Sequence, residues 1–161
     1  MSEEHFLELI NTHKRTIYHL LNLYVQDLDE IEDLKQEIIL QSWKSKDSFL
    51  NQSSFNTWLY KVSLFTILTF KKKQPTLNRV DLKEAHSIHQ EENFQSDQAE
   101  SLQNWIARLD DLSKTIITMH LDGFSNSEIA DFIGIKLNNL NVKLHRIKEK
   151  AVLNLKRSQW D

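Results

Sequence analysis

The chain has 161 residues, of which 40% are hydrophobic, and a formal net charge of −3 at pH 7. It contains two Gly, one Pro and no Cys, which excludes disulfides and thiolate metal sites and argues against a turn-rich β architecture. No apolar run approaches the roughly 18 residues of a membrane helix, and the first residues do not form a signal peptide. We therefore predict an all-α, soluble, cytoplasmic protein.

The first third of the chain is predicted to form two helices. Apolar residues keep helical spacing from about residue 4 to residue 25. The segment 27–37 then carries six acidic residues against Lys35 alone, and Asp29 is a candidate N-cap for the next helix. That helix is predicted to turn five residues inward: Ile31, Leu34, Ile38, Ile39 and Trp43.

A loop and a third helix follow. Residues 45–54 are mostly polar and lack a period, which predicts a loop. Apolar spacing resumes at Phe55, and the helix is expected to end at Lys71–Lys73, where cations favour a helix C-terminus and Pro75 stops propagation.

Residues 75–100 are predicted to be an acidic linker. The stretch from Asp81 has six acidic residues, one Lys and few large apolar residues, too few to bury a core. His86 and His89 lie within it, and a solvated pair is favoured there over a weak metal site. The predicted architecture is two small helical domains, residues 1–74 and 101–161, joined by this linker.

The second domain contains the pattern of a helix-turn-helix. An apolar run from Ile116 stops at Gly123, as expected for a left-handed helix cap. Ser125 and Glu128 have the spacing of a capping box, and Gly134 permits a tight turn before the last helix.

The last helix combines a buried stripe with a polar, basic one. From residue 134 to residue 157 there are seven Lys and Arg against Glu149 alone, in a chain that is acidic overall. Such a face suits base edges and phosphates, and Asn is a bidentate partner of adenine. The candidate DNA-binding residues are Asn138, Asn139, Asn141, Val142, Lys143, His145, Arg146, Lys148 and Lys150.

Two separate motifs, in order, resemble the extracytoplasmic-function branch of the sigma-70 family of RNA polymerase specificity subunits. Glu32-Asp33-Leu34-Lys35-Gln36-Glu37 with Trp43 is similar to the "EDLxQE…W" signature of region 2. The run 55–62, Phe-Asn-Thr-Trp-Leu-Tyr-Lys-Val, is similar to the "FxTWLYRI" run of that region. Residues 112–147 resemble the region 4 helix-turn-helix. The resemblance implies a region 2-like bundle followed by a region 4-like helix-turn-helix.

The resemblance also implies roles for residues of the first domain. The acidic helix would dock on the largest subunit of core RNA polymerase through Asp33, Gln36 and Glu37, while Leu34 and Ile38 belong to the core. The loop 45–54 would capture a flipped base of the −10 element. Candidates for holding the melted strand are Phe55, Trp58, Tyr60, Lys61, Lys71, Lys72 and Lys73, although a core position is the favoured interpretation for Trp58.

The chain departs from the family pattern at three positions. Phe65 and Thr69 stand where relatives usually carry polar Asn and Asp, which bears on promoter melting. Lys136 stands where a Ser or Thr cap is usual, so we expect Asn138 to cap the last helix and shift its start by two residues.

The expected function is therefore that of a sigma factor with no enzymatic activity, no cofactor and no metal. The expected partners are core RNA polymerase, double-stranded promoter DNA, the melted non-template strand and, in some settings, an anti-sigma factor. Two alternatives remain open: a helix-turn-helix regulator that acts without polymerase, and a degenerate sigma-like protein that binds polymerase but does not open promoters.

Overall fold

The computed structural model describes residues 1–73 and 97–158, and every regular element in these two ranges is helical. Its elements are α1 Glu3–Thr12, α2 Lys14–Tyr24, α3 Leu28–Lys44, a 3₁₀ turn at Lys46–Ser48, α4 Phe55–Lys73, α5 Asp97–Ala107, α6 Asp111–Leu121, α7 Asn126–Ile133 and α8 Leu137–Ser158. The all-α expectation is confirmed. The chain divides into two compact units, Met1–Gln90 and Glu91–Asp161. Most of the expected linker, with His86 and His89, lies outside the described residues.

The first unit is a bundle in which α2, α3 and α4 pack against one another. Its core contains side chains that are almost completely removed from water: Phe6, Ile17, Leu20, Leu21, Leu34, Ile38, Leu59, Leu64 and Ile67. Burial of this much apolar surface is the main force that holds the helices of the first unit together.

The second unit is organised around α8, which packs against α5, α6 and α7. Ile116, Met119 and Ile129 are fully buried, and Leu140, Leu144 and Ile147 form the inward stripe of α8. Because α8 is long and buries only this stripe, the opposite side of the helix is left exposed. α5 begins at Asp97, four residues before the expected start of the second domain at residue 101.

Three sequence expectations about helix ends were wrong. The helix expected over residues 4–25 is broken at His13, which ends α1 and precedes α2. On both sides of this break the apolar residues face the same core, so their spacing does not reveal the break. Asp27, not Asp29, caps α3, and its carboxylate accepts hydrogen bonds from the backbone amides of Asp29 and Glu30 at 2.8 and 3.2 Å.

The third correction concerns the start of α8. The helix begins at Leu137, and the carbonyl of Lys136 already accepts a hydrogen bond from the amide of Leu140 at 3.0 Å. Asn138 therefore lies inside the first turn and not at the cap, so the helix start is not shifted by two residues. Lys136 holds the capping position through its backbone alone.

Candidate nucleic-acid interface

The turns around α7 have most of the hydrogen bonds that the sequence predicts, but among the described residues the Glu128 side chain makes no bond back to the Ser125 amide. Ser125 Oγ accepts from the amide of Glu128 at 3.2 Å, which caps the start of α7. Gly123 adopts φ +94° after α6, and the amides of Gly123 and Phe124 donate to the carbonyls of His120 and Met119. This pair of bonds is a Schellman motif, which satisfies carbonyls that the end of α6 leaves unpaired.

Gly134 sets the angle between α7 and α8. It ends α7 at φ +83°, and its amide donates to the carbonyl of Ala130 at 2.8 Å. A Cβ built at this glycine would meet no atom within 4 Å, so a side chain would be strained by backbone conformation and not by crowding.

Replacing Gly134 by Ala is expected to lower the free energy of unfolding by about 1–2 kcal/mol, the cost of a left-handed conformation for a residue with a Cβ. Gly134→Asn is the matched control, since Asn tolerates this conformation better and should lose less. Denaturant unfolding followed by circular dichroism measures both. An Ala variant as stable as the wild type would contradict the prediction.

All nine candidate DNA-binding residues of α8 are exposed. Val142 keeps 50% of its surface accessible, as Val152 of the same helix does. The exposed face thus presents amides, cations and one apolar group together, the mixture that major-groove recognition uses. The structure brings all nine residues onto one helix, α8.

Two of these side chains, Asn141 and His145, have partners within the second unit. Asn126 Nδ2 donates to Asn141 Oδ1 at 2.9 Å, and His145 Nε2 lies 3.1 Å from Glu149 Oε1. Sequence reasoning missed Asn126, because its contact spans the turn between two helices. Sequence reasoning counted Glu149 as the one acidic residue of a basic run but did not predict that it lies on the polar face beside His145.

Two pKa shifts report the charges around α8. Burial works to raise the pKa of the Asp110 carboxyl, but hydrogen bonds from Ser113 and the nearby charge of Lys143 outweigh it, so that pKa lies below its ordinary value. Burial, assisted by the charge of Lys148, lowers the pKa of His120. The neutral form of His120 is thus favoured, so the positive charge in this region is carried by Lys148.

In the first unit, the loop 45–54 contributes Phe49 to an aromatic cluster that also contains Phe6, Trp43, Phe55 and Trp58. Neighbouring ring centroids in this cluster are 5.1–6.4 Å apart. Trp58 Nε1 donates to Ser48 Oγ at 3.4 Å, and the ammonium of Lys46 lies 3.8 Å from the centre of the Trp43 ring. The loop is therefore anchored by aromatic contacts although it has little regular structure.

The residues predicted to hold a melted strand differ in accessibility. Phe55 and Tyr60 are buried, with 7% and 5% of their surface exposed, while Trp58 and Lys61 are half-buried. Lys71 donates to the carbonyl of Tyr24 at 3.1 Å and so fastens α4 to the end of α2. Lys72 and Lys73 are exposed.

Phe65 is the most exposed aromatic ring of α4, with 66% of its surface accessible. It follows Trp58 by seven residues and Lys61 by four, so the three side chains share one face of the helix. No acidic residue occurs between Phe55 and Lys73. This face therefore combines aromatic rings and cations, the chemistry of single-strand binding.

The acidic face of α3, which we define as Asp33, Gln36, Glu37 and Leu40, points to solvent. The first three were predicted from the sequence, and all are exposed. Leu40, with 44% of its surface exposed, follows Gln36 by four residues and adds an apolar group that the sequence analysis missed. Leu34 and Ile38 are buried at 2% and 0%, as expected for core residues.

Across residues 1–73 and 97–158, no three His, Asp or Glu side chains are grouped so that they could hold a metal ion. Within the same ranges, no helix combines the length and hydropathy needed to cross a lipid bilayer.

Family models match both units. The model described as "Sigma-70 region 2" matches residues 9–75, and the model described as "Sigma-70, region 4" matches residues 99–150. The two matches follow one another in the order of the helices and together include the acidic face of α3, the exposed face of α4 and the exposed face of α8.

Relatives of known name align over most of the chain. The "ECF RNA polymerase sigma factor SigW" of Bacillus subtilis (strain 168) is 25% identical, with 91% of this chain and 87% of the relative aligned. The "RNA polymerase sigma factor SigV" of the same organism is 28% identical, with 85% of this chain and 82% of the relative aligned. Among solved structures, the sigma factor RpoE of Bartonella quintana, in complex with the anti-sigma factor NepR, has a similar fold. Its TM-score is 0.69 at 18% identity, over 96% of this chain and 98% of that one.

Proposed function

The chain belongs to the extracytoplasmic-function branch of the sigma-70 family, and from that membership we propose how its two units divide promoter recognition. As a sigma factor it is a non-enzymatic initiation factor that binds core RNA polymerase and directs transcription from specific promoters. Both regions that this activity requires are matched in order, and this is the observation on which the proposal rests.

The second unit is proposed to read the −35 element through the exposed face of α8. The capped turn at Gly134 presents α8 as the recognition helix, and its amides and cations are accessible. We assign base contacts to Asn139, Asn141, Val142 and Lys143, and phosphate contacts to Arg146, Lys148 and Lys150. Asn138 and His145 lie on the same exposed surface and complete the interface.

The first unit is proposed to bind polymerase and the −10 element with different faces. The acidic face of α3 suits a basic protein partner and is a poor surface for DNA. The face of α4 that carries Trp58, Lys61 and Phe65 supplies rings and charge for unpaired bases, with Lys72 and Lys73 beyond it. Phe55 and Tyr60 support this surface from the core, and Lys71 holds α4 in position. The loop 45–54 is proposed to take the flipped base.

Two further proposals concern regulation and place. The fold is shared with a sigma factor solved together with its anti-sigma factor, which supports an anti-sigma partner for this chain. Its work on RNA polymerase supports a cytoplasmic location. The extents 1–74, 75–100 and 101–161 remain our proposal for the two domains and the linker between them.

The two alternative functions are not favoured. A helix-turn-helix regulator that acts without polymerase does not require a sigma-70 region 2 domain, and such a domain is matched over residues 9–75. A degenerate protein unable to open promoters was suggested by Phe65 and Thr69. However, Phe65 is exposed on a cationic helix, where it can stack on a base.

Run-off transcription separates these functions. Core polymerase with the chain is expected to give a product from start sites that appear when the chain is overexpressed in cells, and core polymerase alone should give none. Sequence-specific DNA binding with no dependence on polymerase would instead support the regulator. Polymerase binding without any product would support the degenerate protein.

A further inference from the structure

We propose that Asn126 is a positioning residue for base recognition: it fixes the side-chain amide of Asn141 in the orientation that reads adenine. The inference rests on the proposed −35 role of α8 and adds to it a residue of the preceding helix. Asn126 is the first residue of α7, and Asn141 lies in the second turn of α8. The turn at Gly134 brings the two amides within hydrogen-bond distance.

The contact has a defined polarity. Asn126 Nδ2 donates to Asn141 Oδ1 at 2.9 Å, which uses one of the two lone pairs of that oxygen. Nδ2 of Asn141 has no hydrogen-bond partner among the described residues, and the residue is exposed. An exposed Asn on a helix otherwise rotates freely about its terminal torsion and exchanges the positions of donor and acceptor.

This polarity determines what Asn141 offers to the groove. Adenine is read by an amide whose oxygen accepts from N6 while its nitrogen donates to N7, so both atoms must be in the correct order. The bond from Asn126 holds Oδ1 on the side of α7 and Nδ2 on the far side, while the second lone pair of Oδ1 stays available. The order is thus set before DNA arrives, and less conformational entropy is lost on binding.

The position of Asn126 explains why an asparagine is useful there. Ser125 already caps α7 through its hydroxyl, so the side chain of Asn126 is not needed for capping. Asn126 is half-buried and contacts α8 across the turn, whereas its neighbour Ser127 is exposed. A change at Ser127 therefore provides a matched control in the same turn of the same helix.

The test is selection from a promoter library with a randomised −35 element, using core polymerase with the full-length chain. Asn141→Ala identifies the base pair that Asn141 reads. Asn126→Ala is expected to reduce the adenine preference at that one position by about 3- to 10-fold, as expected for loss of one exposed hydrogen bond. Preferences at the other positions and the thermal midpoint should not change.

Asn126→Asp gives a second, sharper readout. Aspartate can only accept, so Asn141 must turn its nitrogen toward α7, which reverses donor and acceptor at the groove. Adenine should then lose its advantage at that position and another base pair should be enriched. Ser127→Asp adds the same charge one residue away and should weaken binding without changing the preferred base.

Each outcome decides the proposal. A wild-type preference that both Asn126 variants retain at every position overturns it, as does an Asn141→Ala variant with unchanged selection. A wild-type chain that selects no −35 sequence at all would instead refute the proposed function of α8. If Asn126→Asp and Ser127→Asp changed base preference equally, the added negative charge alone would explain the effect, and this outcome would also overturn the inference.

Discussion

A chain that carries Asp33→Lys, Gln36→Ala and Glu37→Lys is expected to lose core RNA polymerase in a pull-down. The three side chains are exposed on α3, and none belongs to the core of the first unit. Reversal of two charges that face a basic partner replaces attraction by repulsion. We expect docking to bury these charges. Truncation of one member of a buried, hydrogen-bonded charge pair at an interface costs about 2–5 kcal/mol, so the affinity should fall by at least about 30-fold.

Two further variants show whether this loss is local. Glu4→Lys with Glu8→Lys makes the same charge change on exposed residues of α1 and should leave polymerase binding intact. Leu40→Ala removes the apolar group of the acidic face without a change of charge, and a smaller loss is expected. Circular dichroism should show equal helicity for all of them. Wild-type capture by the triple variant would remove α3 as the docking element.

Features set by neighbouring residues in the chain were predictable. The cap at Ser125 and the left-handed glycines at 123 and 134 depend on spacings of one turn or less, and the structure shows them as expected. The inward stripe of α8 also followed from apolar periodicity, because Leu140, Leu144 and Ile147 can reach a core only on one side of a helix.

Features set by contacts between distant residues were not predictable. The break at His13 leaves the apolar period unchanged, and the ring of His13 packs 5.6 Å from that of Phe55, 42 positions later. The hydrogen bond between Asn126 and Asn141 depends on the angle between α7 and α8, which no local pattern specifies. Asp27 and Asp29 both suit a cap, and only the backbone conformation at residue 27 decides between them.

The aromatic residues of α4 show the same limit within one helix. Phe55, Trp58, Tyr60 and Phe65 all suit base stacking by residue type. Tertiary packing buries Phe55 and Tyr60, holds Trp58 partly covered against Phe49, and leaves Phe65 in solvent. Phe65, which departs from the family pattern, is thus the ring of these four with the largest exposed surface, and residue type alone does not distinguish it from the buried rings.

A chain that carries Arg146→Ala, Lys148→Ala and Lys150→Ala is expected to bind every promoter duplex more weakly and with less dependence on salt. All three cations are exposed on α8. Each phosphate contact contributes about 0.9 to the slope of log affinity against log salt, so the three together should lower its magnitude by about 2.7. Titrations of the polymerase complex between about 50 and 200 mM salt measure this slope.

Two control variants separate phosphate contacts from other effects of charge and from base contacts. Lys14→Ala with Arg15→Ala removes exposed cations from α2, a helix to which no base or phosphate contact is assigned, and should leave the slope unchanged. Asn139→Ala should alter base preference and keep the slope, since an uncharged amide displaces no counterion. If the triple variant kept the wild-type slope, these cations would not lie against phosphates, and α8 would have to enter the groove by another face. If the salt slope fell equally in the α2 variant, the salt dependence would reflect the net charge of the chain. Contacts between α8 and particular phosphates would lower the slope only in the α8 variant.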